Sequence, residues 1–137
     1  MRIEGNMKYV SCGEFGCWAV DNRGDIYFRT GIAESKPEGL AWKLVPGRLR
    51  MIESGPLGLT VGLDLNSNLM IRSGVSQDKG EGVSWEKTDL VLAHVTVGES
   101  GIIGILPDGT LAIRQGKTPV ATVSSSQTFS MKGWLYV

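Results

Sequence analysis

The chain has 137 residues, with 14 basic and 14 acidic side chains, so its formal net charge is zero. This balance gives no reason to expect nucleic acid or an anionic membrane as the main partner, and a hydrophobic content of 42% excludes a chain that is disordered by composition. The 19 glycines show no collagen-like period, which is typical of an all-β protein with many tight turns.

The beginning of the sequence carries no apolar stretch of the kind that directs secretion. No apolar run approaches roughly 18 residues, so no membrane span is predicted. The sequence as written therefore predicts a cytoplasmic protein, and a secreted one if the N-terminus is processed or missing.

Two cysteines, Cys12 and Cys17, are separated by four residues that include Gly13 and Gly16. If the chain turns back there as a hairpin, the two thiols face each other and a disulfide is possible. Two small buried thiols are the equal alternative. A metal site is not expected, because the spacing is not C-x₂-C and no second ligand pair exists.

Three segments of the chain, residues 10–31, 52–74 and 95–116, repeat the same pattern of anchors. Corresponding glycines stand 42 and 43 residues apart, and each is followed by another glycine three positions on. An arginine stands two positions before a further glycine. In the first two repeats a tryptophan lies 13 positions after that arginine. The anchors are Gly13, Gly55 and Gly98; Gly16, Gly58 and Gly101; Arg29, Arg72 and Arg114; Gly31, Gly74 and Gly116; and Trp42 and Trp85.

Within each repeat, short runs of β-branched and aromatic residues alternate with turn residues. The G-x-x-G pair predicts a turn between a first and a second strand. Residues 21–24, 64–68 and 107–109 predict hairpin turns between a second and a third strand. Residues 42–45 and 84–87 predict a fourth strand. The boundaries expected for the three repeats are 7–48, 49–91 and 92–137, all in one module, with the last repeat degenerate.

The first repeat, which contains Trp18-Ala-Val-Asp21, Ile26-Tyr27 and Val45-Pro46-Gly47, resembles the tectonin β-propeller repeat. The second repeat keeps most anchors but is aligned with Thr60 in place of the first tryptophan. The third keeps Asp108 and Gly109 and has a glutamine where the last tryptophan is expected, at position 127. The tail at 129–137 is interpreted as a displaced strand.

The resemblance implies an all-β propeller with four-stranded blades, about three of them in this chain, or half of a six-bladed ring. It implies a binding module with no catalysis and no cofactor: a lectin-like protein that binds glycans or bacterial lipopolysaccharide. The alternative is an intracellular scaffold that binds protein or phospholipid partners. Three blades cannot close a ring, so the chain is expected either to pair as a homodimer or to be a piece of a longer protein.

Five side chains are the candidates for ligand binding: Arg29, Trp42, Arg72, Trp85 and Arg114. Arginines at equal positions form a ring of cations suited to phosphate or carboxylate, and an indole face suits the C–H side of a sugar ring. The alternative is structural, with tryptophans packed between blades and arginines bonded to loop carbonyls. Structural roles are also preferred for His94, the turn at 98–101, the acidic turn at 64–68 and the loop at 76–80.

Overall fold

The computed structural model describes residues 2–99, 101–115 and 135–136. These residues form three antiparallel four-stranded sheets, which confirms the all-β prediction. We number the sheets blade 1 to blade 3 in chain order. Blade 1 consists of β1 (Tyr9–Gly13), β2 (Gly16–Val20), β3 (Asp25–Thr30) and β4 (Ala41–Arg48). Blade 2 consists of β5 (Met51–Ser54), β6 (Thr60–Leu63), β7 (Asn68–Ser73) and β8 (Ser84–Val91). Blade 3 consists of β9 (His94–Gly98), β10 (Gly101–Ile105), β11 (Leu111–Gln115) and β12 (Leu135–Tyr136).

Each blade is an up-and-down meander in which every strand pairs with the next. The predicted turns lie between the strands as expected. Asp21 and Asp64 close the turns after β2 and β6, because a carboxylate oxygen of each accepts hydrogen bonds from backbone N–H groups two and four residues on. In blade 3 Leu106 holds that position, and Asp108 accepts from the Thr110 N–H instead. The tail forms a strand at 135–136 that pairs with β11, while position 127 lies outside the described residues.

The register corrects one alignment in blade 2. Trp18 lies opposite Phe28 in blade 1, and the residue opposite Ile71 in blade 2 is Val61 rather than Thr60. Blade 2 therefore has one extra residue before its second strand. The short 3₁₀ turn at Pro56–Gly58 widens the connection between β5 and β6 and accommodates this residue.

The hydrophobic core lies between blades. The first interface core joins blades 1 and 2, and the second joins blades 2 and 3. The buried members of the first are Trp18, Val20, Ile26, Phe28, Val45, Leu49 and Ile52. Those of the second are Met51, Leu59, Val61, Leu63, Leu69, Ile71, Leu90, Leu92, Val95, Ile102 and Ala112. Each blade thus buries its apolar surface against its neighbour, as blades of a propeller do.

The innermost strands of blades 1 and 2 are also joined by polar contacts. The Ser54 N–H donates to Ser11 Oγ at 2.9 Å, and the Glu14 N–H donates to the Gly55 carbonyl at 3.1 Å. The Tyr9 hydroxyl donates to Glu53 Oε2 at 2.5 Å. Partial burial, together with this carboxylate, raises the pKa of Tyr9 to about 12.

The Tyr9–Glu53 contact predicts a stability change in alkaline solution. The folded-state pKa of Tyr9, about 12, exceeds the ordinary value of 10.0. The protonated Tyr9 hydroxyl therefore contributes its full stabilisation below pH 10.0, and this stabilisation is lost as the pH rises through about 12. We expect the melting temperature of the wild type to fall relative to that of Tyr9→Phe across this window. An identical pH dependence of the two proteins would contradict the shift.

Candidate functional site

The repeated arginines of blades 1 and 2 are buried beside the tryptophan of the next strand. Arg29 on β3 pairs with Trp42 on β4, and Arg72 on β7 pairs with Trp85 on β8. Each arginine is only 5% exposed. The Nε–H of Arg29 donates to the Glu38 carbonyl at 2.8 Å, and that of Arg72 donates to the Glu81 carbonyl at 2.7 Å. Each arginine therefore fixes the loop between the third and fourth strands of its own blade.

The Arg72 guanidinium lies between two indole rings. Its carbon is 5.1 Å from the ring centre of Trp85 and 5.6 Å from that of Trp18, which belongs to blade 1. The two rings meet edge to face with their centres 5.8 Å apart. Burial lowers the pKa of Arg72, and the nearby Glu81 carboxylate partly offsets this effect. The Trp18–Arg72–Trp85 cluster thus joins blades 1 and 2 through cation–π and aromatic contacts.

The Arg29 site of blade 1 has the same plan with a different neighbour. The guanidinium carbon is 5.2 Å from the ring centre of Trp42, and Nη1 donates to Glu4 Oε1 at 2.7 Å. Trp42 Nε1 donates to the Glu4 carbonyl at 2.9 Å. The hydrogen bond from Arg29 lowers the pKa of the exposed Glu4 carboxyl. Glu4 therefore contacts both members of the Arg29–Trp42 pair.

Arg114 lies on β11, opposite Ile102, and is half-buried. Burial lowers the pKa of its guanidinium, and the Glu86 carboxylate of blade 2 opposes that shift. The three arginines thus hold equivalent positions in the three blades. For Arg29 and Arg72 the contacts match the structural alternative drawn from the sequence. Direct ligand binding by Arg29, Trp42, Arg72, Trp85 and Arg114 stays a prediction.

A recess of about 540 Å³ opens beside the arginine-fixed loops. One wall is the turn between β1 and β2, which contributes Glu14 and Phe15. The other walls are Ile32, in the loop after β3, and Gln77, in the corresponding loop of blade 2. Glu14, Ile32 and Gln77 are exposed and Phe15 is half-buried. The recess therefore combines apolar surface, including an aromatic ring, with a carboxylate and an amide.

The turn that carries Phe15 is packed closely against blade 2. A methyl group on Gly80 would lie 2.2 Å from the Phe15 carbonyl oxygen, and one on Gly58 would lie 2.4 Å from the Phe15 ring. Both distances are too short for any side chain, so glycine is required at these two positions for the turn to fit. Blade 2 thus holds the wall of the recess that blade 1 supplies.

A disulfide between Cys12 and Cys17 closes the base of the same turn, as in the first alternative for the cysteine pair. The two residues face each other across β1 and β2, directly next to the Gly13–Gly16 pair. Cys17 itself contributes to the recess. The bridge therefore limits the movement of the turn that presents Glu14 and Phe15.

We expect reduction of this disulfide, or the double substitution Cys12→Ser with Cys17→Ser, to lower the free energy of unfolding by about 2 kcal/mol. The effect is small because the bridge closes a short loop, so little chain entropy is removed from the unfolded state. Urea unfolding with and without reductant measures it. A loss of all cooperative unfolding on reduction would contradict this estimate, and the double serine variant should be insensitive to reductant.

The other motifs of the sequence have structural positions. His94 is exposed at the start of β9. The Ser76 and Lys79 backbones bond each other in the loop after β7, as Ala33 and Lys36 do after β3. Within residues 2–99, 101–115 and 135–136, no group of three or more His, Cys, Asp or Glu side chains is arranged to hold a metal ion. The same part of the chain contains no helix long and apolar enough to cross a membrane.

Sequence reasoning did not identify the recess itself. Glu14 and Phe15 fill the variable positions of the G-x-x-G turn, and Ile32 and Gln77 belong to loops whose residues differ between repeats. The sequence signal that could have identified the recess is a departure from the repeat. The turn residues Glu14-Phe15 correspond to Pro56-Leu57 in the second copy. Residues that vary within a constant frame mark the surface where function differs between blades.

Three adjacent four-stranded meanders, with their cores between the blades, define the chain as part of a repeat-built β-propeller. The family model of the Tectonin domain matches residues 1–105, and the chain belongs to that family. It is 33% identical over 70 residues to the fish-egg lectin of Cyprinus carpio, an alignment that takes in 50% of this chain and 29% of the carp protein. It is 41% identical over 51 residues to a tectonin beta-propeller repeat-containing protein of Drosophila melanogaster, over 34% of this chain and 4% of that protein.

Among solved structures, the fold resembles that of human WBSCR16, with a TM-score of 0.62 at 9% identity. The match covers 90% of this chain and 37% of the WBSCR16 chain, and at this identity it shows the fold alone. The chain thus spans well under half the length of each of these relatives.

Proposed function

We propose that this chain is a lectin-like binding module without catalysis, and that it recognises glycans, including those of bacterial lipopolysaccharide. The observation that carries the proposal is the recess between the β1–β2 turn and the loops of blades 1 and 2. A partly exposed aromatic ring suits the C–H face of a sugar, and a carboxylate and an amide suit its hydroxyl groups. Similarity to the carp lectin, in a generally non-catalytic family, supports this assignment.

In this proposal the repeated arginines act mainly by shaping the site. Arg29 fixes the loop that contains Ile32 through the Glu38 carbonyl, and Arg72 fixes the loop that contains Gln77 through the Glu81 carbonyl. Trp85 packs on Trp18 between blades 1 and 2, Trp42 packs on Arg29 within blade 1, and Arg114 lies near Glu86 of blade 2. Direct sugar contacts by the five candidate residues would need their side chains to be reached from the loop surface, and NMR shifts at these residues on titration would report such contacts.

The proposal is tested by binding of the folded chain to a glycan array, followed by NMR titration with millimolar monosaccharides. We expect shifts concentrated at the turn of residues 13–17 and the loops around 32 and 77. Glu14→Gln and Gln77→Ala should each weaken binding about tenfold, which corresponds to one lost hydrogen bond. Leu65→Ala, which alters an exposed residue in the β6–β7 turn, is the matched control and should bind as the wild type does.

Absence of binding to every glycan by a folded sample would overturn the lectin proposal. Binding to protein or phospholipid in the same conditions would then favour the scaffold alternative. Shifts centred on Arg29, Trp42, Arg72, Trp85 or Arg114, with none at residues 14, 32 and 77, would instead place the site on the repeated residues.

We also propose that the propeller is completed by a homodimer, in which two copies supply six blades. Such a ring would carry two recesses, so a repetitive surface such as a bacterial envelope would be bound with avidity although each site is weak. The exposed apolar side chains at the two ends of the three-blade array support pairing with a second copy.

A further inference from the structure

The face of blade 3 that points away from blade 2 is apolar, and the residues that the structure describes leave it partly exposed. Ile103, Ile105 and Leu111 are 42%, 38% and 41% exposed, and Ile113 is half-buried. Ile103 pairs with Ile113 across β10 and β11, and Ile105 pairs with Leu111. We call these four side chains the trailing face of blade 3. Exposed apolar side chains that lie together on one sheet are a candidate contact surface.

The equivalent trailing faces of blades 1 and 2 are both covered by the next blade. In blade 1 the equivalent pairs are Trp18 with Phe28 and Val20 with Ile26; in blade 2 they are Val61 with Ile71 and Leu63 with Leu69. All eight side chains are at most 7% exposed and belong to the interface cores. The molecule therefore shows twice which kind of surface covers this face. It is the side of the following blade that points back toward the preceding blade, which we call the leading face.

A leading face is left uncovered at the opposite end of the array. Val10 on β1 is 60% exposed, whereas Ile52 and Val95, which hold the same place on β5 and β9, are fully buried against the preceding blade. Trp42 holds the place of Trp85, whose ring packs on Trp18 of the preceding blade. Val10 and Trp42 thus lie on the leading face of blade 1.

The segment before β1 occupies the place of a preceding blade's last strand. A methyl group on Gly5 would lie 3.3 Å from Trp42 Nε1, and one on Gly47, at the end of β4, would lie 3.6 Å from Trp85 Nε1. The two glycines share a backbone conformation, with φ of +115° and +121°. Residues 4 and 5 therefore contact Trp42 as the end of β4 contacts Trp85. They do not occupy the place beside Trp42 that corresponds to the place of Trp18 beside Trp85.

We infer that the trailing face of blade 3 binds the leading face of blade 1 of a second copy of this chain, head to tail, with the partner's Trp42 packed on Ile103. This inference rests on the homodimer part of the proposed function and is independent of glycan binding. Two such contacts related by a two-fold axis close the ring. Each contact repeats the packing already present between blades 1 and 2, with Ile103 in the place of Trp18.

The test is the solution mass by sedimentation, at micromolar concentrations, where the chain of 14.8 kDa should form particles of about twice that mass. Ile103→Glu and Val10→Glu should each weaken dimerisation at least about a hundredfold, because each buries an unpaired carboxylate. Ile103→Trp, which places the residue of blade 1 at this position, should tighten the dimer about tenfold. Leu65→Glu is the exposed control and should leave the mass unchanged.

A folded wild-type chain that stays monomeric would overturn the inference, as would a dimer that Ile103→Glu does not weaken. A dimer lost on Ile103→Glu but kept on Val10→Glu would show pairing of two trailing faces and would overturn the head-to-tail arrangement. Glycan affinity per chain should be the same in Ile103→Glu as in the wild type, since the recess lies within blades 1 and 2. The solution mass and the glycan affinity therefore distinguish a failure of dimerisation from a failure of the lectin proposal.

Discussion

Replacement of Arg72 by alanine is expected to lower the free energy of unfolding by about 3 kcal/mol. The substitution removes the hydrogen bond to the Glu81 carbonyl and the cation–π contacts to Trp18 and Trp85, and it leaves a cavity between two blades. The relief of a buried charge offsets part of this loss. Urea unfolding followed by tryptophan fluorescence measures the change directly, because both affected indoles are reporters.

Arg29→Ala is the matched control, because Arg29 has the same backbone position and the same carbonyl bond. It contacts one indole instead of two, and its charged partner Glu4 is exposed. We therefore expect a smaller loss, about 1–2 kcal/mol. Equal effects of the two substitutions would contradict the view that the Trp18–Arg72–Trp85 cluster joins blades 1 and 2.

Trp18→Ala is expected to destabilise the chain by about 4 kcal/mol. Trp18 is 1% exposed, and its ring contacts Phe28 within blade 1 and Trp85 of blade 2 edge to face. Its removal opens the largest cavity that a single substitution can make in the first interface core. The measurement is again urea unfolding, here followed by circular dichroism because the substitution removes a fluorophore.

Trp18→Phe keeps an aromatic ring in the core and should cost less than half as much. The double substitution Trp18→Ala with Arg72→Ala should cost less than the sum of the two single changes, because the residues share contacts. Full additivity would show that the Arg72 guanidinium gains little from the Trp18 ring. A Trp18→Ala loss below about 1 kcal/mol would contradict its place in the core.

The strands could be predicted from the sequence because the repeat supplies each local signal three times. Gly13, Gly55 and Gly98 mark the same turn, and the run from Ile26 to Arg29 has counterparts in both later copies. Coincidence at several positions is stronger evidence than any single propensity. The one-residue slip at Thr60 arises because Gly58 is aligned with Gly16, while blade 2 has one more residue between that glycine and Val61.

The roles of the tryptophans and arginines could be predicted only as alternatives. A repeated Arg29–Trp42 or Arg72–Trp85 pair is equally consistent with a ring of cations on the surface and with arginines and tryptophans buried between blades. The decision depends on Trp18, which lies in a different blade from Arg72 and reaches it only after the blades have packed. Periodicity shows which positions are equivalent in the repeats, but it does not show which side chains of neighbouring repeats meet. The recess escaped prediction for the same reason.

The location of the cores between the blades means that opening of the structure should proceed from its ends. Within the part of the chain that the structure describes, blade 2 is covered by a blade on each side, whereas blades 1 and 3 each have one face that no other blade covers. In an isolated chain, hydrogen exchange should therefore be slowest for the amides of β6 and β7 and faster for β2, β3 and β10. Closure of a ring would remove this gradient, so the exchange profile along the chain would itself report how many neighbours each blade has.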